Sequence, residues 1–279
     1  MNSIYVLYHK ACTDGTGSKF AAWKKFGNNA EYIAVNYGEP VPPMNFGSEV
    51  YIVDFSYDRD VLKQLYSVHK SVVVLDHHKT AEEALKGCPG CHFDMHRSGC
   101  VMAWQYFHPD VKVPELLLDI QDRDLWLFNR PFSKEIHAGL QLLKGDMLMW
   151  NGVVESPARY QQLVQEGRLL LKRQKIAIES AVKGKVKIVN MSNHRVGITN
   201  TTDLASEIGN AICESKVHNV DFAVCYCINS NDDVLLSFRS VGDFDVSPIA
   251  ARLGGGGHKN ASGARVGLGT LTKLIKGDM

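Results

Sequence analysis

Four short segments place acidic or imidazole side chains just after an apolar strand or helix pattern. His9-Lys10-Ala11-Cys12-Thr13-Asp14-Gly15 follows Ile4–Tyr8, and Asp54 follows Tyr51-Ile52-Val53. Asp76-His77-His78 follows Val72-Val73-Val74-Leu75, and Asp122-Arg123-Asp124 follows Leu116–Ile120. A lone His or Asp at a strand end is usually a cap or a satisfied polar group. Several such groups brought together are different, because packed carboxylates repel and their pKa values rise. A bound divalent cation removes that cost. Imidazole with carboxylate suits Mn²⁺, Co²⁺, Zn²⁺ or Fe²⁺ better than Ca²⁺. Two such ions, about 3.5–4 Å apart, would clamp the attacking and leaving oxygens of a phosphoryl transfer.

The second half offers a different chemistry. Gly254-Gly255-Gly256-Gly257 precedes His258, with Arg239, Arg252, Lys259 and Arg265 in the same region. Glycine backbone can approach a ligand closely, successive N–H groups can form an anion nest, and Arg suits bidentate phosphate contact. A loop without a ligand is the competing reading.

These groups need elements to position them. Ile4–Tyr8, Tyr32–Val35, Val50–Val53 and Val72–Leu75 read as strands; Gly17–Phe26, Asp58–Val68 and Thr80–Lys86 read as helices. Apolar strands alternating with helices predict a parallel sheet covered on both faces, with ligands outside the strands' carboxyl ends. Ser98–Phe107, with Ser98 as its cap, and Glu115–Gln121 read as further helices. A long Arg- and Lys-rich pattern from Ser156 or Pro157 to about Val182 reads as a connector with a solvated face. Strands near Val186–Asn190, Arg195–Thr199, Val220–Ile228 and Asp233–Ser240 follow, the last two around the turn Asn229–Asp232. Helices are expected at about Asp203–Glu214 and at Val246–Leu253, the latter running into the glycines. The expected fold class is α/β. A parallel-sheet domain over residues 1–155 and a connecting helix over 156–183 precede a smaller α/β domain with a mixed sheet over 184–279.

Composition sets the bounds. The 279 residues carry net charge +1, unevenly: residues 1–155 hold 15 Lys and Arg against 19 Asp and Glu, leaving the second half basic. An acidic half suits cations and a basic half suits an anion. No uncharged apolar run is long enough to span a membrane. Met1–Tyr8 is too short for a signal peptide and reads as a first strand, so a cytoplasmic protein is expected. Seven cysteines with no disulfide spacing fit a reducing compartment. Cys88-Pro89-Gly90-Cys91-His92 matches the C-x-x-C-H haem pattern, but without an export signal it reads as a turn holding thiols, and no haem is expected.

The chain resembles the DHH phosphoesterase superfamily with its DHH-associated C-terminal domain, whose branches include nanoRNase, pAp-phosphatase and RecJ-like proteins. Asp76-His77-His78 after an apolar strand is the name-giving motif. Gly254–Gly263 and the strand ending Phe238-Arg239-Ser240 resemble the signature of the associated domain. The resemblance covers nearly the whole chain. It implies a two-domain enzyme with a cleft between its halves and two divalent cations, most often Mn²⁺, with Mg²⁺ or Co²⁺ as alternatives. By position, His9, Asp14, Asp54, His77 and Asp122 would be the ligands, Asp54 bridging the ions and Asp124 the fallback for Asp122. His78 would contact phosphate or donate a proton, and Asp76 would orient the histidines. Asp54, Asp76 and His78 form the expected catalytic group. His258, Arg239 and the Gly255–Gly256 backbone, with Ser240 and Asn260 of the same motifs, would hold the terminal phosphate or nucleotide.

One departure stands out. The usual first motif has Asp at +4 and +6 from its His, whereas here Asp14 stands at +5 and Cys12 occupies the place of the other carboxylate. A subgroup of the family resembles this H-x-x-C-x-D-G form. Cys12 either ligates a metal as thiolate or only packs. The expected activity is hydrolysis of short nucleotide substrates: oligonucleotides, linear or cyclic dinucleotides, or 3′-phosphoadenosine 5′-phosphate. The alternatives are a RecJ-like single-strand exonuclease, a polyphosphatase or pyrophosphatase, and a non-enzymatic nucleotide-binding protein. The expected state is a monomer or homodimer, with no membrane partner.

Overall fold

Val6, Val53 and Leu75 alternate along their strands with Leu7, Ile52 and Val74, and all six are buried. Side chains of period two that are apolar on both sides require a sheet covered on both faces. The computed structural model that shows this describes residues 3–10, 12–191 and 193–278. Met1, Asn2 and Ala11, which fall in the first strand reading and the His9–Gly15 segment, lie outside the described residues.

The chain divides into two units, Met1–Leu171 and Lys172–Met279. The first contains β1 (Ile4–His9), α1 (Thr13–Phe26), β2 (Ala30–Val35), β3 (Glu49–Val53), α2 (Arg59–Val68), β4 (Ser71–Asp76), α3 (Lys79–Ala84) and β5 (Cys91–Phe93). Then come α4 (Gly99–Phe107), α5 (Glu115–Asp124), α6 (Ser133–Leu140), α7 (Met147–Glu155) and the start of α8 (Pro157–Gly184). The strand order is β2-β1-β3-β4-β5, all parallel. One face packs Val6, Val53 and Leu75 on α1, α4 and α5 through Phe20, Val101, Trp104, Leu117 and Ile120. The other packs Leu7, Ile52 and Val74 on Leu62 and Leu65 of α2. Leu163 and Val164 of α8 join the first of these cores, so the unit runs to Leu171, past the expected boundary at 155.

The second unit adds β6 (Lys187–Met191), β7 (His194–Asn200), α9 (Ala205–Glu214), β8 (Phe222–Ile228), β9 (Val234–Ser240), α10 (Ser247–Arg252), β10 (Gly256–His258), β11 (Ala261–Val266) and α11 (Leu268–Lys276). Its sheet, ordered β10-β11-β9-β8-β7-β6, is mixed, with only β7 and β8 parallel. Val224 and Phe238 pack on Ala250, Leu271 and Leu274, while Ala223 and Cys225 pack on Ile208 and Ile212. The glycine run is not a plain loop: Gly256–His258 is an edge strand paired with β11. Asp203 stands before α9 rather than in its first turn, beside Leu204, whose φ is 55°. Among the described residues, no helix is long and apolar enough to cross a membrane.

Candidate metal centre

In the first sheet β1 has β2 on one side and β3 on the other, so the connections leave in opposite directions between β1 and β3. Ligands of open α/β sheets bind at that point, beyond the strands' carboxyl ends. The register aligns Tyr8, Val53 and Leu75 across three strands. The residues that follow them are His9, Asp54 and Asp76, one row of polar groups at the switch point.

Asp54 is the pivot. Its backbone is left-handed, φ 63°, and its N–H is fixed on the Leu75 carbonyl at 2.9 Å. Such a backbone is costly outside glycine and persists only where the surroundings enforce it. It turns the two carboxylate oxygens to different neighbours. Oδ2 lies 3.5 Å from His9 Nδ1, and Oδ1 lies 3.2 Å from His77 Nε2. His77 Nε2 is also 3.5 Å from Asp14 Oδ2 and 3.5 Å from Asp124 Oδ2. Gly99 is required beside this pivot, since a Cβ there would meet Asp54 Cβ at 2.7 Å.

Asp14 does two jobs. From the first turn of α1 it accepts Gly99 N–H at 2.6 Å and Cys100 N–H at 3.0 Å, so it caps α4 from another helix. Ser98 occupies the cap position but makes no capping bond; its hydroxyl lies 3.3 Å from Cys100 Sγ. The expected Ser98 cap is therefore replaced by a carboxylate, which interacts more strongly with a helix N-terminus.

Asp76 orients its neighbours. Oδ1 accepts His77 N–H at 2.8 Å and sits 2.7 Å from His78 Nδ1, while Ser56 donates to Oδ2 at 2.5 Å. An ionised acceptor at Nδ1 fixes that nitrogen as the protonated one.

Asp122 is not in the cluster. Its carboxylate accepts Asn129 N–H at 2.8 Å and Arg130 N–H at 3.1 Å. Asp124 faces His77 instead. The sequence held a signal for this: Leu117, Ile120 and Asp124 fall at i, i+3 and i+7, so Asp124 lies on the same face of α5 as buried Leu117 and Ile120. Tyr37 escaped the sequence reading altogether. It stands two residues past β2 at the same sheet edge, its ring edge-on to His9 at 5.3 Å and to His78 at 5.5 Å.

The electrostatics are unbalanced. Asp14 and Asp54 are 1 % exposed. Burial, with the charges of Asp54 and Asp124, pushes the Asp14 carboxyl well above its usual range. Burial likewise raises Asp124 against the pull of His77. Burial alone would raise Asp54, but the His77 hydrogen bond and the nearby His9 imidazole outweigh it and hold Asp54 well below the usual range. Burial works to lower His77, yet Asp54, Asp124 and Asp14 push it up to about 10. The raised groups hold their protons more tightly, as buried carboxylates short of positive charge do. Two buried atoms facing one another, His9 Nδ1 and Asp54 Oδ2, have no hydrogen-bond partner among the described residues.

A divalent cation meets every one of these demands. Two sets of donor atoms, His9–Cys12–Asp54 and Asp14–His77–Asp124, each lie within 4.8 Å of one another. Donors about 2.1 Å from a shared ion stand roughly 3–4.2 Å apart, so small side-chain movements complete either set. The cluster is able to hold metal.

In the second unit the expected substrate residues are tied into the fold. Arg239 donates to the Phe238 carbonyl at 2.8 Å and to Ser206 Oγ at 2.6 Å. Asn260 Nδ2 donates to Ser240 Oγ at 2.9 Å and to the Phe244 carbonyl at 3.1 Å, and Ser240 Oγ donates to the Phe244 carbonyl at 2.7 Å. Gly255 N–H is used by the Ala250 carbonyl at 2.9 Å, closing α10, so it is not an open anion donor. A Cβ on Gly255 would stand 1.9 Å from the Gly263 carbonyl oxygen, so this glycine is needed for close backbone approach. Gly256 and His258 lie on the β10 edge.

No protein-family model matches the chain. It is 31 % identical over 285 residues to the uncharacterized protein R106 of Acanthamoeba polyphaga mimivirus, covering 92 % of this chain and 66 % of that protein. It is 25 % identical over 300 residues to the oligoribonuclease NrnB of Bacillus subtilis, covering 94 % of this chain and 73 % of that one. Among solved structures it superposes on RecJ from Thermus thermophilus in complex with Mn²⁺, with TM-score 0.55 and 14 % identity, over 98 % of this chain and 50 % of that one.

Proposed function

Because the chain belongs to the DHH phosphoesterase superfamily, we propose that it is a divalent-metal-dependent phosphodiesterase acting on short nucleotide substrates. One observation carries the metal part of the reading: the two oxygens of buried Asp54 face two separate donor sets. His9, Cys12 and Asp54 would hold one ion, and Asp14, His77 and Asp124 the other, with Asp54 shared. Mn²⁺ suits this mixture of carboxylate and imidazole. When bound, the ions would acidify water and neutralise charge on the phosphate.

The protein's own groups do the rest. Asp54, held by the Leu75 carbonyl and by both histidines, fixes the centre of the site. Asp76 accepts the His78 Nδ1 proton and so would steady the imidazolium, whose Nε2–H is the group that would contact the phosphate or give a proton to the leaving oxygen. Asp122 holds the chain after Asp124 rather than a metal. Gly256 and His258, on the β10–β11 hairpin, are the second unit's candidates for a phosphate contact. Burial and the charges of Asp54, Asp124 and Asp14 push the Cys12 thiol well up, so it would ligate only where a bound ion displaces its proton.

Similarity to an oligoribonuclease supports short substrates. The test is turnover with Mn²⁺ on a pentanucleotide RNA, a long single-stranded DNA, a cyclic dinucleotide, adenosine bisphosphate and pyrophosphate. Preference for the RNA or the dinucleotide is expected; preference for the long DNA or for pyrophosphate contradicts the reading. Co²⁺ should give a sulfur-to-metal charge-transfer band that Cys12→Ser removes, and an unchanged spectrum would assign Cys12 to packing.

A further inference from the structure

Two exposed aromatic side chains belong to segments that carry the donor sets, Tyr37 touching His9 and Trp126 following Asp124 in the chain. Tyr37 is 43 % exposed although its ring contacts His9 and His78. His9 belongs to the Oδ2 side of Asp54. Trp126 is 36 % exposed and lies two residues past Asp124, which belongs to the Oδ1 side. Two residues span at most about 7 Å of chain, so the Trp126 backbone starts within that reach of Asp124.

The turn that carries Trp126 is built for presentation. Trp126 and Phe128 both adopt left-handed backbone, φ 59° and 52°. Bulky residues adopt that conformation only when it is imposed. Asp122 imposes it. Its carbonyl accepts Leu127 N–H at 2.9 Å and Phe128 N–H at 3.4 Å, and its carboxylate accepts the next two N–H groups at 2.8 and 3.1 Å. The buried Asp122 thus fixes the four residues after Trp126. The Arg123 guanidinium lies 4.3 Å from the Trp126 ring centroid, and Lys134 lies 4.3 Å from that of Phe128. A turn needed only to connect α5 to α6 requires neither exposed rings nor strained backbone.

Aromatic rings beside a phosphate site recognise what a bare phosphate chain lacks, a flat π-face. We propose that Tyr37 and Trp126 each stack one nucleobase, on opposite sides of the scissile phosphodiester. This rests on the phosphodiesterase reading above and sharpens it: the substrate class is a dinucleotide unit with a base on each side, not polyphosphate.

The test is calorimetric binding of a methylenephosphonate-linked diadenosine dinucleotide, which cannot be hydrolysed, to the Mn²⁺-loaded full chain. Two analogues each lack one base, and a third lacks both. Removing either base should weaken wild-type binding by about 10- to 100-fold, the range of a stacked base. Tyr37→Ala should lose that much on the full ligand and become indifferent to one base. Trp126→Ala should do the same for the other base, and Tyr37→Phe should bind as wild type. Equal Mn²⁺ content certifies that each variant is intact. Wild-type affinity in both Ala variants overturns the proposal. So does an equal loss on the ligand lacking both bases, or a Tyr37→Phe as weak as Tyr37→Ala, since the hydroxyl would then be responsible. Absence of wild-type turnover on the hydrolysable dinucleotide would sink the phosphodiesterase reading alone, because the binding pattern is read without catalysis.

Discussion

Both sheets carry a polar cluster, and the two clusters are satisfied in opposite ways. In the second unit, Ser240 and Asn260 bond one another and the Phe244 carbonyl, so that network is complete within the fold. In the first, buried carboxylates crowd two histidines, protons sit at raised pKa values, and His9 Nδ1 and Asp54 Oδ2 face one another without a hydrogen bond. Polar residues of similar type thus mean different things. A complete network holds a loop, whereas an incomplete buried one suits a ligand that supplies positive charge.

The comparison breaks most visibly through the ligands. Asp124→Asn should weaken Mn²⁺ binding at least about 100-fold, because a donor is lost, while Asp122→Asn should change it only a few-fold. Calorimetric titration of both variants decides; equal losses would return Asp122 to the metal set.

Stability separates the units next. Mn²⁺ at about 100 times its Kd should add about 2.7 kcal/mol to the wild type. Asn260→Ala should cost about 1–3 kcal/mol, through acceptors left buried, with or without Mn²⁺. Denaturant melts in Mn²⁺ and in chelator measure both, and a metal-dependent Asn260 effect would contradict the division.

The smallest effect is that of pH. His77 is raised from 6.5 to about 10 in the metal-free protein. Its protonated form therefore stabilises the fold fully below 6.5, and that contribution is lost as pH rises through about 10. Asp14, also raised, adds a loss of the same sign from its ordinary range upward. Metal requires the neutral imidazole, so Mn²⁺ affinity should rise over the same interval, by up to about tenfold per pH unit for each proton displaced. Melting temperatures against pH, with and without Mn²⁺, should diverge; parallel curves would contradict the assignment.

The sheet edge was legible in the sequence because each strand there is a continuous apolar run ended by His or Asp. Strand ends of a parallel sheet share an edge whatever the details. The choice between Asp122 and Asp124 was not legible from the motif, since two residues two apart on α5 point to different sides. Only the rotation of α5, set by Leu117 and Ile120 against the sheet, decides. Tyr37 was hidden because its loop, Asn36-Tyr37-Gly38-Glu39, carries no His or Asp to mark it as part of the site. The glycine run looked like an anion nest because spacing cannot show that Gly255 N–H already closes α10 and that its Cα abuts β11.

The central claim is that Asp54 joins two metal positions. Metal content after equilibrium dialysis against Mn²⁺, for wild type and Asp54→Asn, tests it most directly. The account predicts two ions per wild-type chain, loss of both in the variant and a fall in dinucleotide turnover of about a thousandfold or more. Asp54→Asn that keeps wild-type Mn²⁺ content and turnover would contradict it.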